Sequence, residues 1–330
     1  MKIVALAGGV GGAKLAHGFA QILPPEDLTV IVNTGDDFEH LGLYISPDLD
    51  TVCYTLAGLA NPETGWGRAN ETWNAIANIE RLGGATWFRL GDQDLATHIE
   101  RTRRMKAGQS LSQITIDFCK AWGIHHAVIP MSDNPVRTIV ETDEGDLPFQ
   151  EYFVHRRCEP RVKGFRFDGI KSAKPAPGII DAIKEADAIV ICPSNPWVSI
   201  APILAVLSTP LHLPPFSAPF GGASRKMGGE KKGGEAKKIC AVSPIIGGQA
   251  IKGPAAKMYR ELGIQPSALA VAGHYQNLVT EFVFDEVDAK LEADIRGLNM
   301  RTLITKTLME NSDNRRRLAE DVLHFIGNHL

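Results

Sequence analysis

Short, wholly apolar runs, each cut off by a cluster of Gly, Ser, Asp, Asn or Pro, constrain the fold of this chain more than any other feature. They lie at residues 2–6, 28–33 (LTVIVN), 126–130 (HAVIP), 188–192 (AIVIC) and 239–242. Their shortness and β-branched content predict buried strands. Helical spacing separates them at 13–22, 48–59, 69–82 and 111–122. Apolar strands alternating with helices imply a parallel sheet covered on both faces. The class is therefore α/β, a doubly wound, mostly parallel sheet. In such sheets ligands sit beyond the carboxyl ends of the strands, so the polar loops after these five strands are expected to line one crevice.

The 330 residues are read as a single domain. Its core covers about 1–135 and 175–300, and a small lobe about 136–174 carries a β-hairpin. The hairpin's arms are read at 138–142 and 149–154, around the acidic turn 143–146. Residues 210–238 hold four prolines and then GGASRKMGGEKKGGEAKK. That composition builds no core and reads as a variable loop. Residues 300–328 read as two helices broken near 311–313, and their terminal position makes homodimerisation through them the expectation. Five cysteines, odd in number and without a CxxC pair, read as small core residues in a reducing compartment. A net charge of −3 argues against nucleic-acid or anionic-membrane partners. With no signal peptide and no spanning run, a cytoplasmic location is expected.

The motifs that carry chemistry begin with AGGVGGAK after the first strand. Glycine lets backbone N–H groups turn toward an anion, and a helix N-terminus adds positive potential. Lys14, read in the first helical turn, adds a full charge. Gly8, Gly9, Gly11, Gly12 and Lys14 are thus a candidate phosphate cradle, against the plainer reading of a tight strand-to-helix turn. The run lacks the GK[ST] ending of a Walker A loop and departs from GxGxxG. NTGDD ends the second strand, where a ribose or metal ligand often lies. Asp36 is the nucleotide-binding candidate there, and helix capping is the alternative. SPDLDT sets Asp48 and Asp50 at a helix start. Capping explains one of them but not both. Two close carboxylates suit magnesium, and one of them could take a proton from an attacking hydroxyl. RLGDQD supplies Arg89 as a clamp for a phosphate or an acidic substituent. His98 behind it reads as a surface or core histidine, and the run Arg101-Thr102-Arg103-Arg104 as a solvated helix face. Ser132-Asp133, Ser194-Asn195 and 243–248 offer short polar side chains after strands, suited to phosphates or a base edge or, individually, to turns. No Ser-His-Asp or Cys-His arrangement is legible, which favours direct transfer over a covalent intermediate.

In this order the motifs resemble the 2-phospho-L-lactate transferase family of coenzyme F420 biosynthesis. The matching stretches are AGGVGGAKL, NTGDD, SPDLDT, RLGDQDLATH, PMSDNPVRT, FQEYF, PSNPWVSIAPIL and SPIIGGQAIKGPA. They run from Lys2 to about Pro254, with a weaker match to Phe284. The resemblance implies a Rossmann-like fold and a requirement for Mg2+. It also implies transfer of a phospho-organic acid, 2-phospholactate or phosphoenolpyruvate in type, from a guanosine diphosphate ester. The acceptor would be the ribityl hydroxyl of the deazaflavin Fo, and the products F420-0 or its dehydro form plus GMP. By position it assigns Asp50 and Arg89 to Fo and Gly8 through Gly12 to phosphate. The chemistry of the motifs adds Lys14, Asp36, Ser194 and Asn195 to the nucleotide side, and Asp48 and Asp50 to metal binding or base catalysis. Residues 210–238 depart from the family, whose corresponding connection is short and helical. Two other readings compete. One is a non-enzymatic regulator with a similar Gly-rich start that binds nucleotide-sugars, although the continuation FEHLGLYISPDLDT favours the transferase. The other is a nicotinamide dehydrogenase, opposed by the missing GxGxxG.

Overall fold

The computed structural model describes residues 1–208 and 237–327. Apart from Lys237 and Lys238, the variable loop read at 210–238 lies outside them. Seven strands form one parallel sheet. In chain order they are β1 (Ile3–Ala7), β2 (Leu28–Val32), β3 (Ala127–Pro130), β4 (Ala188–Ile191), β5 (Lys238–Val242), β6 (Glu281–Asp285) and β7 (Arg301–Thr305). Across the sheet they run 3-2-1-4-5-6-7. The order reverses between β1 and β4, where Leu6 pairs with Ile31 on one side and Ile191 on the other. That reversal leaves a crevice at the carboxyl ends of these two strands.

Alternation along β1 explains the two-sided burial. Ile3, Ala5 and Ala7 enter one apolar core, and Val4 and Leu6 enter another. The first core is closed by α1 (Gly9–Ala20), α2 (Pro47–Leu56) and the C-terminal helix Ser312–Gly327. The apolar stripe of that last helix, Leu318, Ala319, Val322 and Ile326, packs within this core. The second core is closed by segments that include Ile179–Glu185, Ala201–Ser208 and Ala255–Glu261. All five cysteines are free thiols, and Cys53, Cys119, Cys192 and Cys240 are buried. No helix among the described residues is long and apolar enough to cross a membrane.

Three expectations are corrected. Residues 300–328 are expected as two helices, but among the described residues Arg301–Thr305 is the edge strand β7 and only Ser312–Gly327 is helical. Thr302, Ile304 and Thr305 are β-branched, which suits an extended chain, and β6 offers an unpaired edge in register from Glu281↔Arg301 to Asp285↔Thr305. The small lobe is a three-stranded antiparallel sheet of Gly145–Pro148, Arg137–Thr142 and Val162–Asp168. The second hairpin arm is Gly145–Pro148. Residues 149–154, read as that arm, instead lead into the helical turn Glu151–His155, which buries Phe149 and Tyr152. Finally, α1 starts at Gly9 and not at Ala13, so the glycines form its first turn and Lys14 stands in the second.

Gly18 shows how tightly α1 is held. A Cβ there would lie 2.2 Å from the Arg315 carbonyl oxygen of the C-terminal helix, so the two backbones would have to separate. Gly18→Ala is expected to destabilise the chain by about 1–3 kcal/mol. The measurement is urea unfolding, with a lower midpoint and an unchanged slope.

Candidate active-site cleft

A cleft of about 700 Å³ opens at the switch between β1 and β4. Loops following four of the five predicted strands reach it: Gly8, Gly9 and Gly11 after β1, Asp36 after β2, Ser194 and Asn195 after β4, and Ser243 after β5. The loop after β3 is the exception. Ser132 Oγ donates to the Lys174 carbonyl at 2.6 Å, and Asp133 accepts from Ser112 N and Oγ at 2.7 and 2.8 Å. Both side chains secure the fold away from the cleft. Thr307, Leu308 and Met309, just after β7, line the cleft instead.

The glycine loop is shaped by contact with the loop after β4. A Cβ on Gly11 would meet the Pro193 carbonyl oxygen at 2.2 Å, and one on Gly12 would meet Ser194 Oγ at 2.6 Å. Ser194 Oγ also accepts from Gly8 N at 3.1 Å and donates to Gly8 O at 2.8 Å. Asn195 Oδ1 caps the next turn, accepting from Trp197 N and Val198 N. Ser194 and Asn195, read as nucleotide ligands, thus line the cleft with these side-chain groups engaged in holding its walls. Gly12 packs behind the loop. Lys14 reaches the cleft and donates to the Met309 carbonyl at 2.7 Å. Partial burial and the charges of Arg315 and Lys252 hold its ammonium below the ordinary lysine range, which leaves it short of a compensating anion.

Asp48 is set beneath this loop by local sequence. Pro47 opens α2 at a position that suits its fixed φ. Ser46 precedes the helix but donates to Asp37 Oδ1 at 2.8 Å and makes no cap, and Tyr44 Oη donates to Asp37 Oδ2 at 2.8 Å. Asp37 is therefore a buried clamp on the entrance to α2, and burial pushes its carboxyl up to about 7. Neither Asp48 nor Asp50 caps the helix. Asp48 accepts from Asn33 Nδ2 at 2.9 Å and from Gly9 N and Ser199, yet burial still pushes it up to about 6. Asp36 is raised well above the usual range by burial and by the charge of Asp48. Its Oδ1 is buried without a hydrogen-bond partner.

The second acidic group is separate. Asp50 is gripped by both terminal nitrogens of Arg101. His98 Nδ1 lies 3.7 Å from Asp50 Oδ2, and its Nε2 lies 3.3 Å from Asp94 Oδ1. Burial alone would raise Asp94, but His98 and the Tyr54 hydroxyl hold it below the usual carboxylate range. Asp50, Asp94 and His98 offer ligand atoms within 4.8 Å of one another, a group that could hold a metal. Arg89 lines the same cleft with its guanidinium 4.4 Å above the Trp73 ring. Phe88, Phe149, Phe153 and Trp66 supply an apolar wall.

One reading of α3 (Asp92–Lys106) is corrected. Arg101 is 2% exposed and not part of a solvated face, while His98, at 1%, is a core histidine and joins the polar network. The signal was available in the spacing. Asp94, His98 and Arg101 recur at i, i+4 and i+7, which puts them on one helix face.

Comparison with known proteins places the chain. The family model described as 2-phospho-L-lactate transferase CofD matches residues 3–309. A phosphoenolpyruvate transferase of Streptomyces avermitilis is 38% identical, covering 98% of this chain and 97% of the relative. A 2-phospho-L-lactate transferase of Methanosarcina mazei is 37% identical, covering 97% and 99%. The crystal structure of a UPF0052 family member from Bacillus halodurans shares the fold with a TM-score of 0.61 at 16% identity, covering 98% of this chain and 99% of that one.

The raised carboxyls have a measurable consequence. Folded Asp36, Asp37 and Asp48 keep their protons to higher pH than the unfolded chain does. They favour the fold at low pH, and that contribution is lost as pH rises through their folded values. In chelator, Asp48→Asn should therefore gain stability relative to wild type between about pH 4 and pH 8, on the order of 2 kcal/mol. Urea unfolding across this range checks it. A difference independent of pH would contradict it.

Proposed function

Because the chain belongs to the 2-phospho-L-lactate transferase family of coenzyme F420 biosynthesis, we propose that it moves a phospho-organic acid from a guanosine diphosphate ester to Fo. The acid is of the 2-phospholactate or phosphoenolpyruvate type. The terminal ribityl hydroxyl forms a bond to the phosphorus that bears the acid, the bond from that phosphorus to the GMP oxygen breaks, and the hydroxyl proton is released. The observation that carries the reading is a single cleft joining a glycine-rich anion cradle to an apolar, aromatic wall.

On the donor side, the amides of Gly8, Gly9 and Gly11 and the under-compensated Lys14 suit the diphosphate. Asp36 and Asp48 are the better fit for magnesium. They are oxygen donors, they repel each other, and Asp36 Oδ1 lacks a partner, all of which a small hard cation would relieve. Asp50 fits less well, because a guanidinium already covers its carboxylate, and His98 is a poor magnesium ligand. When bound, magnesium would neutralise charge on the diphosphate. On the acceptor side, Phe88, Phe149 and Phe153 suit a flat ring system, and Asp50 and Arg89 suit its polyol. Phosphoryl transfer asks chiefly for alignment and charge neutralisation, so Asp50 serves first to orient the attacking hydroxyl.

The test is a mass-spectrometric assay of the purified protein with magnesium, Fo, and guanosine diphosphate esters of lactate, enolpyruvate and glycerate in parallel. A product heavier than Fo by one phospho-acid, with GMP released, is expected from the lactate or enolpyruvate ester, and the active ester identifies the donor. No product from folded protein with any ester would overturn the reading. Asp48→Asn should lower turnover by about a hundredfold or more, and full activity would remove Asp48 from the machinery.

A further inference from the structure

Arg101 stands behind the cleft wall, yet it holds two side chains that line it. Its Nη1 donates to Asp50 Oδ2 at 3.0 Å, its Nη2 donates to Asp50 Oδ1, and Nη1 lies 3.2 Å from His98 Nδ1. A guanidinium can only donate, so Nδ1 is the accepting nitrogen of that contact, and Nε2 lies 3.3 Å from Asp94 Oδ1 without a hydrogen bond to it. Asp94 Oδ1 accepts from Tyr54 Oη at 2.7 Å. Asp50, Tyr54, Asp94 and His98 all line the cleft, whereas Arg101 does not.

Stability is a weak reason for such an arrangement. Burying an ion pair rarely gains over apolar packing of similar volume. What a two-pronged guanidinium adds is geometry. It fixes the plane of a carboxylate and leaves the outward lone pairs in one direction. We propose that Arg101 is a positioning residue for the acceptor half of the reaction. It fixes the Asp50 carboxylate and holds the His98 ring beside it, so that Asp50 accepts hydrogen bonds from a polyol-bearing acceptor that Arg101 itself never touches. The inference rests on the reading that this cleft binds such an acceptor at Asp50.

The experiment is steady-state kinetics with Fo and the donor ester varied separately. The proteins are wild type, Arg101→Lys, Arg101→Met, Asp50→Asn and the double variant Asp50→Asn/Arg101→Met, with urea unfolding to establish that each is folded. Arg101→Met should raise KM for Fo about tenfold or more, while KM for the donor stays within about twofold. Arg101→Lys keeps the charge without the fork and should fall between; it carries the comparison if the Met variant does not fold. In the Asp50→Asn background the Arg101→Met effect should largely vanish, since the carboxylate to be held is gone. Unchanged KM for Fo in the folded variants would overturn the proposal. So would a parallel rise for both substrates, or full additivity in the double variant. Absence of Fo turnover by the wild type would instead remove the reading of the cleft on which the proposal stands.

Discussion

The contact between the loop after β1 and the loop after β4 is the constraint on which the cleft depends. The sheet order reverses there, and both loops line the cleft that opens at the strand ends. Gly11 lies so close to the Pro193 carbonyl that any side chain would force them apart. Ser194 ties the same loop through both polar groups of Gly8. The result is a run of backbone amides at the start of α1, fixed in place before any anion arrives. Preorganised donors of this kind carry little reorganisation cost when charge develops.

Charge in the cleft is divided between two groups with different problems. Asp36 and Asp48 are buried carboxyls that repel each other, and their neighbours do not offset the cost of burial. That is a site short of positive charge. Asp50 and Asp94 have their compensation built in, from Arg101 and from His98 with Tyr54. The first group suits a ligand that brings cations, and the second suits neutral hydroxyls. Lys14, short of a compensating anion, lines the same cleft. A donor rich in phosphate and an acceptor rich in hydroxyls would each meet the half suited to it.

Much of this was legible in the sequence because it is local. The buried strands announce themselves by composition, and a glycine run after the first strand fixes the cradle. Asp36 follows from a motif just after β2, and Asp48, Asp50 and Arg89 from motifs at or just before helix starts, and all line the cleft. What the sequence hid depends on distant partners. Arg101 looks solvated until α2 brings Asp50 to it across 51 positions. The bonds of the Ser194 hydroxyl to Gly8 join residues 186 positions apart. β7 is an edge strand whose half-exposed residues lack the wholly apolar signature of the central ones, so its pattern reads as a helix. The loop after β3 follows the same rule as its neighbours, but its side chains are taken up elsewhere, Ser132 by the Lys174 carbonyl and Asp133 by Ser112.

The division of charge is tested most directly by a crystal structure of the protein with GDP and Mn2+, the latter as an anomalous scatterer standing in for magnesium. The expected map has an anomalous peak on Asp36 and Asp48, with the diphosphate on the amides of Gly8, Gly9 and Gly11. A metal on Asp50, Asp94 and His98, or a diphosphate away from the glycine loop, would contradict the assignment of donor and acceptor halves.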